Sequence, residues 1–187
     1  MTATKSEKEK MLGCKPYYPC DETLTNERMK CKVLCREYNN LLNEETNKRI
    51  ELIKKIVGQT GKTFLIEQPF LCDYGYNICF GENFYSNHGL IILDPAKVTF
   101  GDNVFIGPNC GFYTANHPIN PQERIKGIET ALPITVGNNV WFGGNVVVLG
   151  GVTIGNNAVI GAGSVVARDI PDNVTAAGNP CKIMRKI

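Results

Sequence analysis

Two histidines, His88 and His117, are the only imidazoles in the 187-residue chain. A side chain that titrates near neutral pH suits the removal of a proton from a hydroxyl. His117 stands between Asn116 and Pro118 in a polar, proline-containing stretch, the setting of a functional loop. His88 follows Asn87 and fits packing as readily as chemistry. Two histidines do not make a zinc centre within one chain, which takes three or four ligands. The eight cysteines, at 14, 20, 31, 35, 72, 79, 110 and 181, show no CxxC spacing. They are expected as reduced thiols used as small hydrophobes, and no metal is expected. No GxSxG elbow, P-loop or Rossmann fingerprint occurs. Gly143-Gly144 is a place where backbone N–H groups can hold an oxyanion.

These groups need a rigid frame, and the stretch from Val136 to Ile170 supplies it. Val136, Phe142, Val148, Ile154, Ile160 and Val166 recur every six residues. Val140, Val146, Val152, Ala158 and Ser164 precede all but the first of them by two places. Neither a helix nor a simply alternating strand has this period. It predicts a parallel β-helix in which each six-residue step is a short strand and a turn, three steps making one triangular coil. Asn138-Asn139 and Asn156-Asn157 are expected at corners, where φ > 0 is tolerated. Phe100, Ile106 and Phe112 keep the same step, with Cys110 at an inward position. Between Phe80 and Phe100 the count is two residues out, which places a bulge near Asp94-Pro95. The larger break, 114–133, is expected as a loop extruded from one coil and carries His117. The coil is expected to end near Ile170, leaving a basic tail over 171–187.

The N-terminal 60 residues read as helical. A polar helix over 4–12 stops at Gly13. A second, over 25–42, is capped by Thr25 and carries Cys31, Leu34, Cys35, Tyr38, Leu41 and Leu42 on its apolar face. A third, capped by Asn43, carries Ile50, Ile53 and Val57 and ends at Gly58. These helices carry no legible chemistry and are expected to cover an open end or edge of the β structure over 61–170, with help in building a substrate pocket as the alternative.

Hydrophobic content of 43%, charged content of 20% and a net charge of +2 describe a globular chain with no general attraction for nucleic acid. No apolar run reaches the ~20 residues of a membrane span. The start MTATKSEKEK lacks the apolar core of a secretory signal, so a cytoplasmic location is expected.

Taken together, CDYGYNI (72–78), GENFYSNH (81–88), TANHP (114–118), the repeat 136–171 and AAGNPCKIMRKI (176–187) resemble the maltose and galactoside O-acetyltransferases, a branch of the hexapeptide acyltransferases. The resemblance spans essentially the whole chain. It implies a left-handed β-helix, acetyl-CoA as acetyl donor, and a homotrimer with sites between subunits. His117 matches the general base, Asn87 the asparagine beside the reacting centre, and the Gly144 N–H the oxyanion donor. Glu129 is a candidate to orient His117. Asp73, Tyr85 and Asn87 match sugar-contacting positions, and Asp94 lies close to another. Gly144 and Ala162 match positions beside the pantetheine arm, Ala167 and Arg168 the pair beyond the last coil, and Lys182 and Arg185 the residues near the adenosine phosphates. Pro19 occupies the place of a family aspartate, with Asp21 two residues on. The sequence CDYG, shared with the maltose-type enzymes, leans toward a glucose or maltose acceptor. A galactoside acceptor, N-acetylation of an amino sugar or xenobiotic, and a β-helical assembly module without catalysis are the alternatives.

Overall fold

The computed structural model describes residues 5–187. The repeat folds as a parallel β-helix with three faces. The first holds Phe64–Ile66, Phe84–Ser86, Phe105–Ile106, Trp141–Phe142, Val159–Ile160 and Val174–Ala177, stacked in parallel. The second holds Phe70–Cys72, Leu90–Leu93, Gly111–Tyr113, Val147–Leu149 and Val165–Val166. The third holds Ile78–Cys79, Val98–Phe100, Ile134–Val136 and Thr153–Ile154.

Register gives the length of each coil. Ile66, Ser86, Ile106, Phe142, Ile160 and Ala176 form one inward column, so successive coils take 20, 20, 36, 18 and 16 residues. The excess over 18 always enters at the corner between the second and third faces. Cys72 to Phe80 and Ile92 to Phe100 each take eight residues where six suffice, and Phe112 to Val136 takes twenty-four. The bulge near Asp94-Pro95 is therefore real. The first coil has a matching insert at Tyr74–Asn77 that the repeat pattern does not reveal. The wider lower coils need bulkier filling to keep interior density. Phe80, Phe84, Phe100, Phe112 and Phe142 supply it, with successive ring centroids 4.0 to 5.3 Å apart. Narrower upper coils are filled by Val148, Ala158 and Ser164, all fully buried.

The corner between the third and first faces is held by two vertical ladders. Asn83, Asn103, Asn139, Asn157 and Asn173 all have φ near +57°. Each Nδ2 donates to the next Oδ1 at 2.8 to 3.0 Å. Beside them, side-chain Oδ1 atoms of Asp102, Asn138, Asn156 and Asp172 accept the backbone N–H groups of Glu82, Asp102, Asn138 and Asn156. Asparagine tolerates the left-handed conformation better than other residues with a Cβ, and its amide both gives and takes a hydrogen bond.

Three helices close the N-terminal end: α1 Glu7–Leu12, α2 Glu22–Asn39 and α3 Thr46–Ile56. Residue 4, where the first was expected to start, lies outside the described residues. Helix α2 begins earlier than expected. Asp21, not Thr25, is its N-cap and accepts from the N–H groups of Thr23 and Leu24. Helix α3 starts after Glu45 without a side-chain cap, so Asn43 does not cap it. Asn39 pairs with both backbone groups of Phe70, and the Tyr38 hydroxyl and Arg49 guanidinium both donate to the Ile66 carbonyl. The lowest strands thus find partners in side chains, and the open edge is covered.

The other end departs from expectation. Ile170 bridges to Ile154 and residues 174–177 stack on 159–160, so the coil continues past Ile170. Lys182–Lys186 then turns back antiparallel to cap the first face.

Replacing Asn139 by alanine puts a Cβ in the left-handed region without a local hydrogen bond and breaks two rungs of the ladder, a loss of about 1–2 kcal/mol. Asn139→Gly removes the same rungs without the backbone strain. In denaturant melts Asn139→Ala is expected to be less stable than Asn139→Gly, and both less stable than the native chain.

Candidate active site

The arm 114–133 is a small hairpin. Ala115–Asn116 pairs antiparallel with Thr130–Ala131, and one helical turn, Pro121–Arg124, forms its tip. The pairing of Asn116 with Thr130 makes His117 and Glu129 cross-strand neighbours. Their Nε2 and Oε1 atoms lie 3.7 Å apart, the imidazole 55% exposed and the carboxylate 20%. Glu129 is fixed from below. Its backbone N–H and carbonyl pair with Tyr17, whose hydroxyl donates to Oε2 at 2.7 Å. Burial and this hydrogen bond push the Tyr17 phenol well above its ordinary value. The N-terminal connector therefore anchors the arm.

Beneath the arm lies a polar cavity of about 250 Å³ whose walls include Tyr17, Arg28, Asp73, Tyr74, Pro95 and Glu129. Arg28 reaches it from α2, donating to the Tyr74 hydroxyl and the Pro19 carbonyl, each at 2.6 Å. Burial raises the Asp73 carboxyl above its ordinary value, opposed by the charges of Arg28 and Lys32. The helices thus cover the open edge as expected and, through Arg28, also build a wall of this cavity. The signal was present: Arg28 falls on the same helical stripe as Leu24, Cys31, Cys35 and Tyr38, where a charge is out of place.

Asp94 does not line this cavity and is completely buried. Its Oδ1 accepts from the N–H groups of Asp73 and Tyr74 at 3.0 and 2.9 Å, and its Oδ2 has no partner among the described residues. As a sugar-contacting residue it is displaced by its own position. It holds the corner that presents Asp73.

A second group gathers at the corner between the first and second faces, where successive coils stack Asn87 with Gly107, Gly143 and Gly161, and beside them His88 with Pro108, Gly144 and Ala162. Gly144 and Ala162 donate to no backbone carbonyl among the described residues, whereas Gly143, Asn145, Gly161 and Gly163 beside them all do. Two free N–H groups thus stand one coil apart along an outer corner. The stacking here requires glycine: a Cβ on Gly107 would lie 2.6 Å from the Gly144 nitrogen. Asn87 Oδ1 accepts the His88 N–H at 2.7 Å, and His88 Nδ1 lies 2.6 Å from the Gln68 carbonyl, a structural use of the second histidine. A groove of about 420 Å³ runs between Tyr85, Asn87, Phe105, Gly107 and Trp141.

The structure pairs His117 with Glu129, which shares a cavity wall with Asp73, and separately gathers Tyr85, Asn87, Gly144 and Ala162. The second face lies between the two groups. Ala167 and Arg168 are exposed on the His117 side of that face, and Lys182 and Arg185 are exposed on the terminal strand over the first face. Residues pointing outward differ by face. Leu65, Tyr85, Phe105 and Trp141 form a column on the first, and Leu71, Ile91, Val147 and Val165 on the second. On the third the outward column is Cys79, Thr99, Thr135 and Thr153. None of the helices among the described residues is long and apolar enough to cross a membrane.

Coils of this period, closed by helices and interrupted by one arm, define a hexapeptide-repeat acetyltransferase. Residues 10–61 match the maltose acetyltransferase hexapeptide capping motif, and residues 133–168 match six repeats of the bacterial transferase hexapeptide. The chain is 45% identical to the galactoside O-acetyltransferase of Escherichia coli over 89% of its own length and 82% of that protein. It superposes on a maltose O-acetyltransferase from Clostridium difficile with a TM-score of 0.97, at 51% identity, covering 98% of each chain. A galactoside acetyltransferase in complex with coenzyme A gives 0.95 at 43% identity, covering 98% of this chain and 92% of that one. The chain belongs to the maltose and galactoside O-acetyltransferase family, and it is a CoA-dependent acetyltransferase of that type.

Burial lifts the Asp94 carboxyl from an ordinary 3.8 to about 7, the hydrogen bond from Tyr74 opposing and the charge of Asp73 assisting. The folded chain thus keeps a proton that the unfolded chain releases, and the stability this contributes falls as pH rises from about 4 to about 7. Asp94→Asn retains the Oδ1 acceptor and cannot ionise. Its melting temperature is expected to decline less than the native chain's across that window. An identical decline in both proteins would show that Asp94 does not carry the effect.

Proposed function

We propose that the chain transfers the acetyl group of acetyl-CoA to a hydroxyl of a glucose- or maltose-type sugar, with His117 as general base. The observation that carries this is the pairing of His117 with Glu129, which stands on the wall of the polar cavity that also holds Asp73. The acceptor hydroxyl attacks the thioester carbonyl while the imidazole takes its proton. Glu129, held by Tyr17, favours the imidazolium that forms. The carbonyl oxygen becomes an oxyanion and accepts the Gly144 N–H, a kind of contact worth roughly 3 kcal/mol in the barrier. Collapse breaks the C–S bond, and the departing thiolate takes the proton from His117. No acyl-enzyme is required. Asp73 accepts hydrogen bonds from the acceptor's hydroxyls.

The oxyanion donor and the base lie on opposite sides of the second face, so the reaction needs a second copy of the chain. We assign the active species as a homotrimer in which the arm of one subunit meets the Asn87–Gly144 corner of its neighbour. The outward apolar columns on the first and second faces support this, since the threonine face is left for solvent. Acetyl-CoA then lies along the corner past Gly144 and Ala162. Ala167 and Arg168 come from the adjoining subunit, and Lys182 and Arg185 meet the phosphates.

His117→Ala is expected to keep its trimer and its affinity for CoA while kcat with acetyl-CoA and maltose falls about 10²–10⁴-fold. Near-native turnover would remove His117 as base. Glu129→Gln should show a smaller loss. A panel of glucose, maltose, galactosides and amino sugars, read by thiol release, tests the acceptor. Highest kcat/KM on an amino sugar would make the enzyme an N-acetyltransferase, and no CoA binding by calorimetry would leave a β-helical assembly module. Trp141→Asp, placing a charge in the apolar column, is expected to shift sedimentation from trimer toward monomer.

A further inference from the structure

Three thiols with no place in this chemistry converge where α2 meets the first coil. Cys31 and Cys35 lie one helical turn apart on its buried stripe, and Cys72 faces them from the end of Phe70–Cys72. The Cys72 Sγ lies 3.4 Å from that of Cys31 and 3.7 Å from that of Cys35, and all three sulfurs lie within 4.8 Å of one another. All three are buried and none is in a disulfide. We propose that Cys31, Cys35 and Cys72 form a binding site for one soft, thiophilic cation of the copper(I) class.

Three observations support the assignment. The first is the size of the triangle. With metal–sulfur bonds of about 2.3 Å, ligand sulfurs lie about 4.0 Å apart in a trigonal site and about 3.8 Å apart in a tetrahedral one. The sulfurs here are close to that spacing, so closing on a cation takes small side-chain movements. The second is the donor set. No histidine or carboxylate among the described residues joins the three sulfurs. A purely thiolate, buried, three-coordinate site suits a soft monovalent ion better than zinc, which takes four ligands in structural sites. The third is the charge around the sulfurs. Cys35 and Cys72 form part of the wall of a cavity of about 480 Å³ between α2 and the second face, with Lys32, Arg36 and Asp73 also on its wall. The two cations outnumber the one carboxylate and favour the negative charge that the thiolates bring. Each sulfur binds as thiolate, so loading releases protons and changes no oxidation state. The bound ion would tie α2 to the coil beside Asp73.

The alternative is that these are three small apolar side chains packed at ordinary contact distance. Anaerobic titration of the reduced full-length protein with copper(I), in competition with a chromophoric copper(I) chelator, separates the two. One equivalent per chain is expected to resist the chelator, with thiolate-to-copper absorption in the ultraviolet and a raised melting temperature. Cys35→Ala, with native circular dichroism, should hold copper at least 100-fold more weakly, and Cys31→Ala should behave alike. Cys181→Ser, far from the cluster, should match the native chain. Release of all copper to the chelator by the native protein, or equal retention by Cys35→Ala and the native chain, overturns the proposal. So does the loss of two titratable thiols without bound copper, which would make the cluster a disulfide pair.

Discussion

Each coil of this protein is a template for the next. Strand N–H and carbonyl groups point along the axis and bond to the coil above and below, so the vertical register cannot slip without breaking a whole row. Extra residues can therefore enter only at corners. All of the surplus enters at one of them: two residues in the first coil, two in the second and eighteen in the third. That corner is where Asp73, Asp94 and His117 stand. The opposite arrangement prevails at the asparagine corner, which is held by ladders through five coils and carries no chemistry.

Register was legible in the sequence because a period of six persists where coils are regular. The step from Val136 to Val166, the bulge near Asp94 and the arm with His117 all follow from counting. The first coil was less legible. Its inward residues Ile66, Cys72 and Phe80 are separated by six and then eight, and only Asn83 at its closing corner carries the signature of the later coils. The upper limit was missed because Val174–Ala177 stacks after a step of sixteen.

Side-chain partnerships across long sequence separations were hidden in a different way. Arg28 meets Tyr74 across 46 residues, Tyr17 meets Glu129 across 112, and Cys31 meets Cys72 across 41. No local pattern encodes such pairs, since they depend on how α2 seats against the first coil. Only the intrusion of a charge into an apolar stripe hinted at the first. The cysteines looked scattered because spacing rules assume ligands that are close in sequence, whereas here a helix turn supplies two and a strand the third.

The distribution of polar groups also bears on assembly. A strand of three or four residues spans about 10–13 Å, and one such strand separates the His117 corner from the Gly144 corner. A proton transfer and the oxyanion it creates must lie within a few ångströms of each other. A rigid prism cannot bend to bring its corners together, because its hydrogen-bonded rows resist it. The same stiffness that fixes the two half-sites thus keeps them apart within one chain. It follows that only apposition of two chains, corner to corner, can complete the constellation proposed here. The apolar columns on the first and second faces are the surfaces that such apposition would remove from water.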